Sequence, residues 1–397
     1  MINAPEPQSK ISPTVAITLF FAAVAVFINL YDVQPLLPQF RRVFDAQEGT
    51  VSLAIGLAVL GIAAASFFVG PISDRFGRKR LMVLSTFLLS LPTMAAAMAH
   101  DIGWFLVFRV VTGLFIPGVI AVVIAYVNEE YRPPASHFLM GLYVGSTVTG
   151  GLVGRMGAGV LAALWGWRAA LWSVAVLTIV IGVVLWRYLP NSRRFHSNPT
   201  WGKAFSNLLA SFSHPSLLSL SFLGFCYFFA FISSFTYMTY YLADPPFRLS
   251  QLAIGLVFGT YIFGIVASPI SGKAATRFGP FRMIGTGLAL VMAGMLITLV
   301  PRLWIVLIGL SLITFGQFTA QAVTPSLVGQ IAPFGRGAAG GVYTVFYYLG
   351  GSLGAAIPGL LWPLYHYRGV IAVNELFLAG AIFVWNWARR TIAVELS

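Results

Sequence analysis

Twelve runs of about twenty apolar residues constrain this chain more than any other feature. They lie at roughly 14–37, 50–72, 81–99, 103–127, 137–161, 167–188, 217–242, 250–272, 280–299, 303–326, 337–361 and 370–388. About twenty residues rising 1.5 Å each cross a hydrocarbon core of about 30 Å. Lipid offers no partner to a free backbone N–H or C=O, so each run must satisfy its own hydrogen bonds as a helix. The 397 residues are 58% hydrophobic and 9% charged, where a soluble domain carries about a quarter charged. An all-α membrane protein with twelve transmembrane helices is expected. The connections are short and hold turn residues such as Pro133-Pro134, Asp244-Pro245-Pro246 and Ala332-Pro333-Phe334-Gly335.

Lysine and arginine set the orientation. With the N-terminus inside, sixteen of the 24 fall in cytoplasmic segments and six in outer loops, while Arg109 and Arg155 lie within apolar runs. The positive-inside rule therefore places both termini in the cytoplasm. The net charge of +13 is a topology signal, not a sign of a nucleic-acid partner. Residues 1–13 lack the charged, apolar and cleavage regions of a signal peptide and read as a cytoplasmic tail, as do 391–397.

The chain repeats itself. Gly141, Tyr143, Gly150, Gly151, Gly154 and Gly159 recur 200 residues later as Gly341, Tyr343, Gly350, Gly351, Gly354 and Gly359, and Arg168 recurs as Arg368. Two six-helix bundles, 14–188 and 217–390, joined by a basic linker over 189–216, account for this register. Parallel repeats of this kind place a transporter's site at the interface between halves. The single cysteine, Cys226, permits neither a disulfide nor a cysteine metal site, and the five histidines are scattered. No cofactor, metal or catalytic constellation is expected, and the chain does not read as an enzyme. A non-transporting membrane sensor is the minor alternative.

The most charged stretch is Gly70-Pro71-Ile72-Ser73-Asp74-Arg75-Phe76-Gly77-Arg78-Lys79-Arg80, a short turn between apolar runs. It resembles the G-x-x-x-D-R-x-G-R-[KR] signature between helices 2 and 3 of the major facilitator superfamily, with every fixed position filled. The resemblance implies two bundles that rock around a central site by alternating access, in a single-chain monomer. A worn copy occurs at Gly272, Arg277, Phe278 and Gly279, with Thr276 for Asp74 and Pro280 for Arg78. The gating role is therefore assigned to the first loop: Gly70, Asp74, Arg75, Gly77, Arg78 and Lys79, with Glu129 and Glu130 at the end of helix 4.

Three charges occupy the apolar runs of the first half. Counting residues from the outer ends puts Asp32 about 8 Å deep and Arg109 and Arg155 about 9 Å deep. Isolated charges there are costly, so the three should face the bundle interior and neutralise one another. Asp32 then binds and releases a proton with Arg109 or Arg155 tuning it, or forms a fixed packing pair, or reaches the outer interface. Arg109-Val110-Val111-Thr112-Gly113 resembles the R-x-x-x-G element of proton-coupled family members, which implies a part in proton transfer. Pro35-x-x-Pro38 resembles the end of helix 1 in the drug:proton antiporter branch with twelve helices. Gly141, Gly145, Gly150, Gly151 and Gly154 resemble that branch's antiporter motif in helix 5, with Ser and Thr in place of its Gly-Pro. These glycines also suit close helix packing. The string Met140-Gly141-Leu142-Tyr143, Gly150-Gly151, Gly154-Arg155, Trp167-Arg168 and Leu189-Pro190-x-Ser192-Arg193 resembles YnfM-like inner-membrane transporters.

Asn29, Tyr31, Tyr237, Tyr240, Gln317, Gln321, Tyr343 and Tyr347 are the expected cavity wall, an aromatic surface with a few amides suited to an amphipathic organic molecule. Glu375, near the start of helix 12, has no assigned role. The reading is a secondary transporter, exporting a small organic compound in exchange for protons, with the proton gradient as driving force. Organic-anion uptake or exchange through the intramembrane arginines is the alternative.

Overall fold

The computed structural model describes residues 11–192, 206, 209–332 and 336–395. The apolar runs become helices, and no strand occurs among the described residues. Among the described residues ten helical stretches are long and apolar enough to cross a membrane, and two of these are 54 and 56 residues long. At 1.5 Å per residue each of those two is more than twice a bilayer's thickness, so each must hold two crossings. The chain turns within them at Gly166 (φ 84°) and His366 (φ 47°), positions 200 residues apart. Glycine takes a positive φ without steric cost, whereas His366 does so against its own Cβ.

The helices are α1 (Pro13–Val43), α2 (Glu48–Phe76), α3 (Arg78–Ala97), α4 (Ile102–Glu130), α5 (135–165), α6 (167–188), α7 (Pro215–Ala243), α8 (Gln251–Phe278), α9 (Pro280–Ile297), α10 (Leu303–Gln330), α11 (336–365) and α12 (367–395). The expected central linker lies mostly outside the described residues, including Arg193, Arg194 and Lys203, as do Lys10 and the 333–335 turn. The expected first helix over 14–37 is not continuous. Its α-helix stops at Tyr31, passes through a short 3-10 turn over Gln34–Leu36, and resumes at Leu37. Pro35 and Pro38 have no N–H to give, so the ladder cannot run through them.

Within each half the repeat glycines set the packing. A Cβ on Gly150 or Gly154 would lie 2.6 Å from the Val24 carbonyl oxygen or 2.8 Å from the Ile28 Cα, so α5 rides against α1. Gly350 and Gly354 press on Phe225 and Phe229 in the same way, seating α11 on α7. Gly141 and Gly145, expected to pack, have nothing within 4 Å. The reason is the shape of the seam between halves. It is shut at the end of the molecule that carries Arg41, where Gly159 of α5 meets Gly255 of α8 and Gly359 of α11 meets Gly49 of α2. At the opposite end, which carries Arg78, Gly70, Gly141, Gly145 and Gly272 are exposed on three of the same four helices, α2, α5 and α8. The halves are parted there.

Candidate functional site

The break in α1 creates the first part of the site. A helix end leaves its last carbonyls without intrahelical partners. Arg109 of α4 takes them: its Nη1 donates to the Asn29 carbonyl at 2.9 Å and its Nη2 to the Leu30 carbonyl at 2.7 Å. Its Nε reaches across to the Ala54 carbonyl of α2 at 3.0 Å. Asp32, at the break itself, approaches Arg109 Nη1 with Oδ1 at 3.4 Å, while its buried Oδ2 has no partner. Asp32 is wholly buried and does not reach the outer interface. The expected mutual neutralisation of three charges is corrected to a pair: Asp32 and Arg109 face each other, and Arg155 stands apart.

Arg155 of α5 is held by other means. Its Nε donates to Gln34 Oε1 at 2.6 Å and its Nη1 to the Gly151 carbonyl at 2.8 Å. The guanidinium lies 3.6 Å from the Tyr31 ring centre and 4.3 Å from that of Tyr261. Such cation–π stacking is worth more where water is excluded. A side chain at Gly151 would occupy that space, since its Cβ would stand 2.9 Å from Nη1. Gln34 passes the contact on by donating to Thr236 of α7 at 3.0 Å. The Arg155 Nη2 is buried and has no hydrogen-bond partner.

Arg155 and Tyr31 form one wall of a cavity of about 380 Å³ between the halves. The rest is mostly aromatic: Tyr143 from α5, Phe228 from α7, Phe318 from α10, and Tyr347 and Tyr348 from α11. Thr147, Ser268 and Gln321 supply polar groups, and Arg155 is the one ionisable charge among the lining residues.

Of the expected wall, Tyr31, Gln321 and Tyr347 line this cavity, and five positions lie elsewhere. Asn29 is buried inside the first half, donating to Thr178 at 2.7 Å and accepting from Thr93 at 2.7 Å. Tyr237 donates to the Ala355 carbonyl at 2.6 Å, and Tyr240 bonds Ser52 and the Glu48 carbonyl. Both belong to the shut seam, because their depth in α7 puts them beyond the cavity. Tyr343 turns to Tyr227 behind the wall, and Gln317 is fully buried with its amide unpartnered. Sequence reasoning did not find Gln34, Thr236 or Tyr261. Gln34 carried a signal, since it sits two residues after Asp32 in an otherwise apolar helix end.

The shut end is latched by charge. Arg41 donates to both Asp244 oxygens across the halves, at 2.9 and 2.7 Å, and pairs with Glu48 at 2.8 Å. Gln251 of α8 donates to the Pro35 carbonyl at 2.7 Å. At the open end, Arg78 binds both Glu129 oxygens at 3.0 and 2.5 Å, Asp74 at 2.6 Å and Ser73 Oγ at 2.7 Å. Gly77, at φ 89°, makes the turn that delivers it. This network was expected to form a gate. All its members lie in the first half, so in this state it braces α2, α3 and α4 together. Glu130 accepts from Ser192 at 3.1 Å, Arg75 is exposed beside Phe76, and Lys79 is half-buried. Glu375 is half-buried in α12 with Oε1 unpartnered.

The sequence profile of the Major Facilitator Superfamily matches residues 15–355 and, in a second match, 225–395. Inner membrane transport protein YnfM of Escherichia coli (strain K12) is 34% identical over 381 residues, 95% of this chain and 91% of that protein. The MFS-type transporter YybF of Bacillus subtilis (strain 168) is 29% identical over 379 residues, 95% and 94% of the two chains. Among solved structures, a bacterial homolog of the human lysosomal transporter Spinster, inward-facing and unoccupied, superposes with a TM-score of 0.82 at 16% identity, covering 97% of this chain and 98% of that one. A D-xylose-proton symporter gives 0.75 at 16% identity, over 94% and 97%. These relatives and fold neighbours are transporters, not enzymes.

Proposed function

The chain belongs to the major facilitator superfamily, and on that footing we propose that it is a secondary active transporter of a small, partly aromatic organic anion. The observation that carries this is the Arg155 Nη2, a buried cationic donor left without a partner at the wall of the central cavity. A carboxylate or phosphate accepts two parallel bonds from a guanidinium, and the surrounding rings suit an apolar body. The lysine and arginine bias makes the Arg78 end cytoplasmic, so the cavity loads from inside the cell in this state. Asp32 is the proton-linked group. Its partner Arg109 holds the carbonyls of the α1 break, so a change of charge at Asp32 alters the helix end next to Tyr31 and Gln34. Operation on the proton gradient without a cofactor, in a multi-pass inner-membrane monomer, completes the reading.

A second reading is export of a neutral or cationic amphipath in exchange for a proton. It rests on the unpartnered, buried Asp32 Oδ2. Proteoliposomes with an internal pH-sensitive dye separate the two. Aromatic carboxylates should drive proton movement in the wild type. Arg155→Ala should cost about 2–5 kcal/mol of anion binding, or about thirtyfold and more in affinity. Cation-driven flux that survives Arg155→Ala and disappears in Asp32→Asn would replace the anion reading with the export reading.

A further inference from the structure

The worn copy of the charged loop keeps basic groups at Arg277 and Arg282 and has no carboxylate at the place of Asp74. In the first loop Arg78 is enclosed by Asp74 and Glu129. In the second, Thr276 replaces Asp74 and Pro280 replaces Arg78, and Arg277, the counterpart of the exposed Arg75, stands exposed beside Phe278, 5.3 Å from its ring centre. Arg282 follows in the first turn of α9, and the end of α12 brings Arg389 and Arg390 to the same place. Together they line a cleft of about 1050 Å³ at the Arg78 end of the second half. Among the described residues none of the four is in an ion pair and no carboxylate lines the cleft.

The cleft is built rather than a chance gathering of loop charges. Trp385 forms its wall, donating through Nε1 to the Phe281 carbonyl at 2.7 Å and carrying the Arg389 guanidinium 4.8 Å from its ring centre. Its indole fits against α9 because position 285 is glycine, where a Cβ would stand 2.6 Å from the ring. Gly285, Thr286 and Ala289 continue the cleft along α9 toward the bilayer as a shallow track of small residues. The N-terminus of α9 opens here with no capping side chain.

We propose that this cleft binds an anionic phospholipid, with the phosphates among Arg277, Arg282, Arg389 and Arg390 and an acyl chain along Gly285, Thr286 and Ala289. Four guanidinium groups match two phosphates held in parallel pairs of bonds, which favours a cardiolipin-type headgroup over a single phosphate. Basic pockets between helices at the cytoplasmic boundary are where such lipids are recognised, and tryptophan at that level marks the interface. A soluble anion would use the arginines and leave the track empty.

Native mass spectrometry of the full chain, titrated with cardiolipin, phosphatidylglycerol, phosphatidylethanolamine and inorganic phosphate, tests this. Arg282→Gln with Arg389→Gln should lower cardiolipin retention about tenfold or more, since each cation near the surface contributes separately. Arg75→Gln with Arg80→Gln, removing two exposed charges from the first loop, should leave retention unchanged. All four residues are exposed, and circular dichroism with size-exclusion chromatography verifies that both variants fold. Equal losses in the two variants would mean diffuse charge attraction and overturn the proposal. So would phosphate binding that competes fully with the lipid, which would make the site one for a soluble anion.

Discussion

Gly159→Ala should move the protein out of the state seen here. A Cβ at position 159 would sit 2.7 Å from the Cα of Gly255, across the shut seam. Carbon atoms rest at about 3.5–4.0 Å, so the helices must part by about 1 Å at that point. The obstacle is backbone, and no rotamer change relieves it. Overpacking of this kind costs about 1–3 kcal/mol. The cost falls only on the state in which the Arg41 end is shut, because α5 and α8 belong to different halves. A bias of that size changes a two-state population by about 5- to 150-fold. The assay is pulsed dipolar spectroscopy between spin labels at His137 on α5 and Arg277 on α8, both exposed at the Arg78 end, in a Cys226→Ser background. A shorter distance should gain population. Gly145→Ala on the same helix is the control, since its Cβ meets nothing within 4 Å and its gain in helix propensity is the same. A folded Gly159→Ala protein with the parent's distance distribution would refute the idea that this contact holds the seam.

Arg41→Gln tests the polar latch by the same distance measurement. Its side chain and that of Asp244 are 25% and 37% exposed, so the expected bias is only about 0.2–1 kcal/mol, smaller than for the glycine contact. Arg78→Ala and Glu129→Gln should each lower stability by about 1.5–3 kcal/mol through the lost charged bonds, as read by unfolding in detergent. The double change should cost less than the two together, and additive costs would show that the pair is not a unit. On the proposed proton-linked role of Asp32, Arg109→Lys should reduce proton-coupled transport about tenfold or more, because one ammonium cannot reach the carbonyls of Asn29, Leu30 and Ala54 together. Near-normal flux in that variant would show that the α1 break does not depend on the guanidinium fork.

Much of the fold was legible because hydrocarbon enforces helices and the repeat has a strict register. Gly166 and His366 are turns at the same phase, and Gly159 and Gly359 meet their partners across the seam in parallel ways. The site was less legible, since helical spacing assigns a face and not a depth. Tyr237 and Tyr240 share a face of α7, yet both lie in the shut seam, while Phe228 on the same helix lines the cavity. Depth counting did bring Asp32 and Arg109 together. It could not separate Arg155 from them, because the break at Pro35 turns Asp32 and Gln34 toward different arginines. Nor does spacing within one half reveal a partner from the other, as with Tyr261.

Tyr31 and Tyr261 both lie against the Arg155 guanidinium, and they come from opposite halves of the molecule. A motion that parts the halves at the Arg41 end carries Tyr261 away with α8, and Thr236 away from Gln34. The part of the cation that Tyr261 covered then meets water. A hydrated guanidinium grips an anion less firmly than one screened from solvent, because the dielectric around it rises. On the proposed anion reading, the same movement that uncovers an exit therefore loosens the hold on what is to leave, through the wetting of a single side chain.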